Sequence, residues 1–502
     1  MTVGTTSAPS IDVTVALAQR LRSAADAAIA QPPARADEPA EDADACLAAL
    51  VARLRDTRDP ALAWLVLTSL AGAYPMAEDV RHILRRVDLE DTTDLTLHVL
   101  DRADTIASEH ASVRRHAVVT TGVVVDVDMC ARHPFHNGIQ RTAREVVRAW
   151  STEHDTVLTA WTSSAGILRT LTPDEQELAA RWDDSLRDRP ASETDPDDET
   201  DIVIPWGATL VLAEVPLADR CPRLAALAEM SGTRVVCIGY DAIPVISADL
   251  RPLGEPNGFA SYLAVIKHAA RVAGISASAA EEFAGFGAAL SAQGLPGPVV
   301  SEVTLPATVP PAPEGWVRVP PARPLALAVG RLEPHKNHTA LLHAAERLWQ
   351  EGVEFDLRLV GGAGWDTTRV EAQLDRLKRA GAPVTWDRTL GDDELWSLLR
   401  TASFTVFISL HEGFGLPVAE SLACGTPVLT TSYGSQAQIA AAGGCLTVDP
   451  RDDESVLAGL RAMVTDPDLR ARLRDEAAHY PVRTWQDYAA DLWTDLVEGG
   501  AP

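Results

Sequence analysis

Positive charge is scarce in this chain. Its 502 residues carry 44 Lys and Arg against 71 Asp and Glu, a formal net charge of −27. A surface this acidic repels phosphate backbones and anionic headgroups, which argues against nucleic-acid binding and against a polybasic grip on lipid. Cysteine is scarce too. The six cysteines, at 46, 130, 221, 237, 424 and 445, form no C-x-x-C pair and no metal-like cluster, and they read as free core thiols in a reducing cytosol. The longest apolar run, "ALAWLVLTSLAGAY" at 61–74, is too short to cross a bilayer and reads as a buried helix. At the start, "MTVGTTSAPSIDVTVALAQR" lacks a positive region followed by an apolar core, so it does not read as a signal peptide. No phosphate loop of the form G-x-x-x-x-G-K-[ST] occurs, and no G-x-S-x-G elbow. His411-Glu412 is not followed by the second histidine of a zinc helix. The expectation is a cytoplasmic protein with no transmembrane segment, no bound metal and no cofactor.

What is present is enough for about three domains. The apolar fraction is 46%, that of a globular protein. Residues 1–115 read as an all-helical extension with five candidate helices, interrupted at about 31–44 by the Pro-rich acidic "QPPARADEPAEDADA". No catalytic constellation falls there, so a protein-contact or self-association role is expected. From "HAVVTTGVVVDVDMC" (116–130), β-branched runs alternate with helical stretches up to about residue 310. A Pro- and Gly-dense connection, 294–324, leads to a second alternating series over 320–480. Residues 481–502 carry a closing helix with Trp485, Tyr488, Leu492 and Leu496 on one face, expected to cross back to the first domain. The fold class is α/β: two doubly wound domains with a cleft between them, preceded by helices.

The chemistry gathers in the second series. "HEGFGLPVAESLACGTPVL" (411–429) follows the candidate strand "FTVFISL", so its loop lies at a strand's C-terminal edge, where open α/β sheets bind ligands. Gly413 and Gly415 permit close approach, Pro417 suits a first helical turn, and Gly425 suits the stop. The helix expected over 416–424 aims free N–H groups into the cleft, a ready phosphate site. Glu420, one turn in, can reach a hydroxyl of whatever those amides hold. On this stretch alone, structural roles for Glu412 and Glu420 compete evenly with functional ones. "LALAVGRLEPHKN" (325–337) decides between them. Arg331 and Lys336 flank another strand end, and together they would neutralise a diphosphate leaving group.

"GRLEPHKN" and "HEGFGLPVAESLACGTPV" closely resemble the donor domain of the retaining glycosyltransferases of family 4, which have the two-domain GT-B fold. "RLVGGAGW" (358–365) is similar to the turn in mannosyltransferase-like members, and "HNGIQRTAREVV" (136–147) and "GYDAIPV" (239–245) resemble first-domain motifs of the family. The resemblance implies transfer of a hexose, mannose-like, from a nucleoside-diphosphate sugar to a glycan or lipid-linked acceptor, without metal. It implies catalytic roles for Glu412, Arg331 and Lys336. Donor contacts would come from Glu420, Gly413, Phe414, Gly415, Leu416 and Gly330, with Gly138 closing over the phosphate from the other domain. Tyr240, Asp241 and Asn137 fall on the acceptor side, and a lipid-linked acceptor would place the enzyme peripherally at the inner membrane face. Two departures stand out: Tyr240 replaces a frequent His, and Gln438 a usual Glu. Arg141, Arg144 and Arg148 share a helical face and read as a solvated basic surface. The alternatives are a sugar phosphorylase or epimerase of the same fold, which phosphate-dependent cleavage would reveal, or a non-catalytic sugar-nucleotide scaffold, which would bind donor without turnover.

Overall fold

The structure is a computed structural model that describes residues 12–108, 110, 115–134, 137–186 and 195–499. The first eleven residues and His136 of the "HNGIQR" stretch lie outside the described residues. Five helices come first: Val13–Ala28, Pro39–Thr57, Pro60–Ala71, Ala77–Val87 and Thr92–Ala107. The expected acidic linker is shorter than its composition suggests. Pro39 sits in the first turn of the second helix, Glu41 and Asp42 follow it, and acidic residues suit that end of a helix dipole. Asp42 is buried against Arg22 rather than solvated.

Nine strands then build one sheet: β1 (Ala117–Thr120), β2 (Val123–Asp126), β3 (Thr156–Trp161), β4 (Leu168–Thr170), β5 (Ile202–Pro205), β6 (Thr209–Leu212), β7 (Arg234–Gly239), β8 (Arg271–Gly274) and β9 (Val299–Glu302). Their order is β1-β5-β4-β3-β2-β6-β7-β8-β9, parallel except where β4 runs against β3 and β5. The run at 116–130, expected to be one strand, is two. The chain turns at 121–122, sending β1 to the sheet edge and β2 to its middle. The Pro- and Gly-dense stretch expected to be only a connection contributes β9 to the opposite edge.

The second sheet contains β10 (Leu325–Val329), β11 (Asp356–Val360), β12 (Val384–Asp387), β13 (Phe404–Phe407), β14 (Val428–Thr431) and β15 (Cys445–Val448). All six are parallel, in the order β12-β11-β10-β13-β14-β15. β13 and β14 are buried along their whole length, as strands covered by helices on both faces must be. Strand order reverses between β10 and β13, and such a reversal opens a crevice at the strands' C-terminal ends.

Hydrophobic packing ties these units together. The five N-terminal helices do not stand apart. Leu50, Trp64, Leu65, Leu67 and Ile83 share one core with Trp161, Ile202, Ile204, Leu210 and Leu224 of the first sheet and its helix. The Tyr74 hydroxyl donates to the Val203 carbonyl of β5 at 2.7 Å, deep inside that core. On the sheet's other face, Val125, Val146, Trp150 and Ile238 join Phe414, Val418, Ala419 and Leu422 from the second domain and Tyr488, Leu492 and Leu496 from the closing helix. That helix, Trp485–Trp493, packs on the first-domain helix Gly138–Glu153, and the Trp150 indole donates to the Ala489 carbonyl at 2.9 Å. Among the described residues no helix is long and apolar enough to cross a membrane.

Candidate active site

The loops that follow β10 and β13 meet at the reversal point. After β10, Gly330 adopts φ +142, a backbone angle that side chains rarely allow, and the chain turns through Pro334–Lys336. A Cβ at Gly361, just after β11, would overlap the Gly330 carbonyl, so glycine there lets the two loops lie against one another. Backbone bonds then join them: Leu332 donates to Gly362 at 3.0 Å and Gly364 to Leu332 at 3.2 Å. This frame fixes Lys336, whose ammonium donates to Glu412 Oε1 at 2.5 Å. The chain has only three lysines, Lys267, Lys336 and Lys378, and otherwise takes its cations as arginine.

Burial alone would push the Glu412 carboxyl up. Lys336, the largest of the opposing influences, outweighs it and holds the carboxyl below its ordinary value, so Glu412 is ionised at neutral pH. His335 stands with Nε2 4.0 Å from Glu412 Oε1. Burial lowers its pKa to about 4, which leaves a neutral imidazole in the pocket. Arg331 sits apart from this pair. Its side chain is largely exposed at the loop's rim and donates to the Ala363 carbonyl at 3.1 Å, so the structure brings together only one of the two expected cations with Glu412.

The helix carrying Glu420 runs Leu416–Ala423. Gly415 caps it at φ +108, with Pro417 in the first turn. It stops as expected: the Gly425 amide bonds to Leu422 at 2.8 Å and the Thr426 amide to Ser421 at 2.9 Å, the paired closure that a left-handed glycine permits. Among the described residues no hydrogen bond reaches the Gly415 or Leu416 amide; Gly415 is buried and Leu416 half-buried. Phe414 is buried in the interdomain core.

The first domain reaches this loop through its backbone. A Cβ on Gly413 would overlap the Tyr240 carbonyl, and Ser276 Oγ donates to the Gly413 carbonyl at 2.6 Å. Tyr240 therefore differs from expectation. Its hydroxyl points into the core and donates to the Ala213 carbonyl at 2.7 Å, so only its carbonyl faces the cleft. Asn137 is a helix cap, accepting from the Ile139 amide at 2.9 Å and the Gln140 amide at 3.3 Å. It sets the position of Gly138, where a Cβ would lie 3.7 Å from Leu416. Asp241 is buried beside Glu282, His411 and Glu412, and burial followed by the Glu282 charge raises it to about 6.

Sequence reasoning missed several of these contacts. His411 bridges the domains, with Nε2 2.6 Å from Glu282 Oε1 and Nδ1 2.8 Å from Ser247 Oγ. Gln438 accepts from the first-domain Ser278 amide at 3.4 Å. The expected solvated arginine face is not one. Arg144 is buried, stacked on Trp182 and donating to the His133 carbonyl at 2.8 Å, and Arg141 reaches across to Glu420 Oε1 at 2.5 Å. Arg141 is itself the arginine of the "GIQR" motif, and that motif was the signal that could have marked it.

Comparison with known proteins agrees with this geometry. Residues 317–480 match the family described as glycosyl transferases group 1. The serotype-specific mannosyltransferase WbdA of Escherichia coli is 26% identical over 330 residues, 62% of this chain and 38% of that protein. The O-antigen chain mannosyltransferase B of Escherichia coli is 34% identical over 149 residues, 29% of this chain and 38% of that protein. These alignments thus span well under half of either relative. Sucrose-phosphate synthase from Thermosynechococcus elongatus superposes with a TM-score of 0.53 at 15% identity, covering 76% of this chain and 100% of that one. The alpha,alpha-trehalose 6-phosphate synthase of Burkholderia multivorans gives a TM-score of 0.51 at 12% identity, covering 76% and 97%. The crevice between β10 and β13 lies within the matched segment, and the two sheets around it have the GT-B arrangement: the chain has a GT-B fold, and its second α/β domain matches the glycosyl transferases group 1 family.

Proposed function

We propose that this chain transfers a hexosyl group, mannosyl by preference, from a nucleoside-diphosphate sugar to a glycan or lipid-linked acceptor, with retention at the anomeric carbon and without a metal. One observation carries the reading: the Lys336–Glu412 pair at the strand-order reversal, with Glu420 on the adjoining helix and two amides between them that no described residue bonds. The mannosyl preference draws on the relatives. They include the GDP-mannose-dependent alpha-(1-6)-phosphatidylinositol dimannoside mannosyltransferase of Mycobacterium tuberculosis, 30% identical over 177 residues.

In this reading the diphosphate lies against the Gly415 and Leu416 amides and draws Lys336 toward itself. Arg331 closes from the rim, and the charge that develops on the departing phosphate meets groups already in place. Glu412, ionised beforehand, accepts from hydroxyls of the transferred sugar and fixes its face toward the first domain. No side chain is needed as general base if the departing phosphate takes the acceptor's proton, which makes positioning the larger part of catalysis.

A donor panel tests this. Full-length protein is incubated with GDP-mannose, UDP-glucose, ADP-glucose and dTDP-glucose in EDTA, and both melting temperature and released sugar are measured. Selective stabilisation by one donor, with slow sugar release that EDTA leaves unchanged, is the expected result. No stabilisation by any donor would sink the proposal, and dependence on added divalent ion would remove its metal-independent part.

A further inference from the structure

Arg141 lies one turn into the first-domain helix Gly138–Glu153, on the side that faces the second domain. Three segments distant in sequence meet at its guanidinium. Nη1 donates to Glu420 Oε1 at 2.5 Å, and Cζ lies 5.6 Å from the centre of the Trp485 ring on the closing helix. Both Arg141 and Glu420 are largely buried, with side-chain exposures of 23% and 10%. Among the described residues no other side chain reaches the Glu420 carboxylate, and Oε2 receives no hydrogen bond from any of them.

A carboxylate can accept about four hydrogen bonds, so a cation that engages one oxygen leaves the other free for a hydroxyl. We infer that Arg141 is a positioning residue that holds Glu420 toward the ribose of the donor from the opposite domain, so that the ribose is read only when the two domains are together. The inference rests on the reading of the cleft as a nucleoside-diphosphate sugar site. Arg141 acts through Glu420 and touches no substrate itself.

A second line of physical reasoning points the same way. Burial favours the neutral acid at Glu420, and even with Arg141 present the carboxyl stays above its ordinary value. Removing the cation would drive Glu420 further toward protonation, and a protonated acid accepts poorly from a ribose hydroxyl.

Calorimetry on the full chain tests the inference, with GDP, UDP and their 2′-deoxy forms as probes from pH 6 to 9. The unmodified protein is expected to bind its preferred ribonucleotide roughly tenfold or more tightly than the 2′-deoxy form, as for a hydroxyl bonded to a charged group. Arg141→Met should reduce that ratio to about threefold or less and leave 2′-deoxy binding little changed, with the ratio falling further as pH is lowered and Glu420 protonates. Glu420→Gln should lose the ratio at every pH. Arg141→Lys, a gentler change should the methionine variant not fold, should retain part of it. A purely structural role would not give a pH-dependent ratio.

An unchanged ratio in the arginine variants overturns the inference alone. Tighter ribonucleotide binding by Arg141→Met overturns it as well, because Arg141 would then be a competitor. No nucleotide binding by the unmodified protein overturns the functional reading, and this inference falls with it.

Discussion

At the scale of single residues, the proposed reading gives Glu412 and Lys336 separable duties despite their contact. Glu412→Gln keeps size and hydrogen bonding but removes the charge, so nucleoside-diphosphate affinity should stay nearly intact while turnover falls by roughly 10²–10³. Single-turnover kinetics on the donor found by the panel would check it, and an unchanged rate would take Glu412 out of the mechanism. Lys336→Met should instead weaken nucleoside-diphosphate binding by about tenfold or more, measured by calorimetry. The placement of both residues at the crevice was legible from the sequence, because each follows the end of a strand, with a glycine pair and a helix start beside Glu412. Tyr240 and Arg141 were not. Which way Tyr240 faces depends on the register of a strand end, and Arg141 lies on a helix face that reads as solvated until a second domain covers it.

Between elements, the contact that decides closure is the loop at residues 411–413. Glycine at 413 lets the loop seat on the Tyr240 carbonyl, and Gly413→Ala should hold the domains apart without unfolding either. Lower activity with a larger scattering radius and a preserved melting transition is expected; full activity would show the seat to be dispensable. His411 adds a charge-dependent tie. Burial works against its protonation, but Glu282, with help from Asp241 and Glu412, outweighs burial and raises its pKa above the usual 6.5. Ser247 and the neutral His335 also stand near it and do not reverse that balance. The attraction is therefore complete below pH 6.5 and fades as pH rises through the higher bound value. Between pH 6 and 9 the closed form should lose stability, and His411→Gln should flatten that loss. A pair worth ~1 kcal/mol would move the midpoint by roughly 2–4 °C. At this scale the strands of the second sheet were legible, because most are rich in apolar or β-branched residues and helical stretches separate them. The first sheet was only partly so. β4 has three residues and runs antiparallel, β6 follows β5 after a three-residue turn with no helix between them, and β9 hides in a stretch rich in Pro and Gly.

For the whole molecule, the N-terminal helices change what the first domain is. Composition marks them as a separate all-helical piece, because helical periodicity reveals which face is apolar but not what will cover it. The structure covers it with the first sheet. Trp64 is fully buried, its ring 5.2 Å from Tyr74, which in turn stands edge-on to Trp161 of β3 at 5.9 Å. A chain starting at residue 113 would expose that apolar sheet face to water, so it should be insoluble or molten rather than a smaller active enzyme. Aggregation alone is a blunt result, and a point substitution sharpens it. Trp64→Ala in the full chain should destabilise the first domain by about 3–5 kcal/mol, the usual cost of emptying a large aromatic site. The second domain has a core of its own built from Leu342, Phe355, Leu359 and Phe404, so its unfolding should move less. Denaturant titration followed by hydrogen exchange would resolve the two. Loss of protection confined to residues 13–107 with β2, β6 and β7 intact would mean that the helices fold on their own account. Loss that spreads through those strands while β10 to β14 stay protected would show helices and sheet to be one cooperative unit, with the cleft's first-domain wall depending on a segment that carries none of its chemistry.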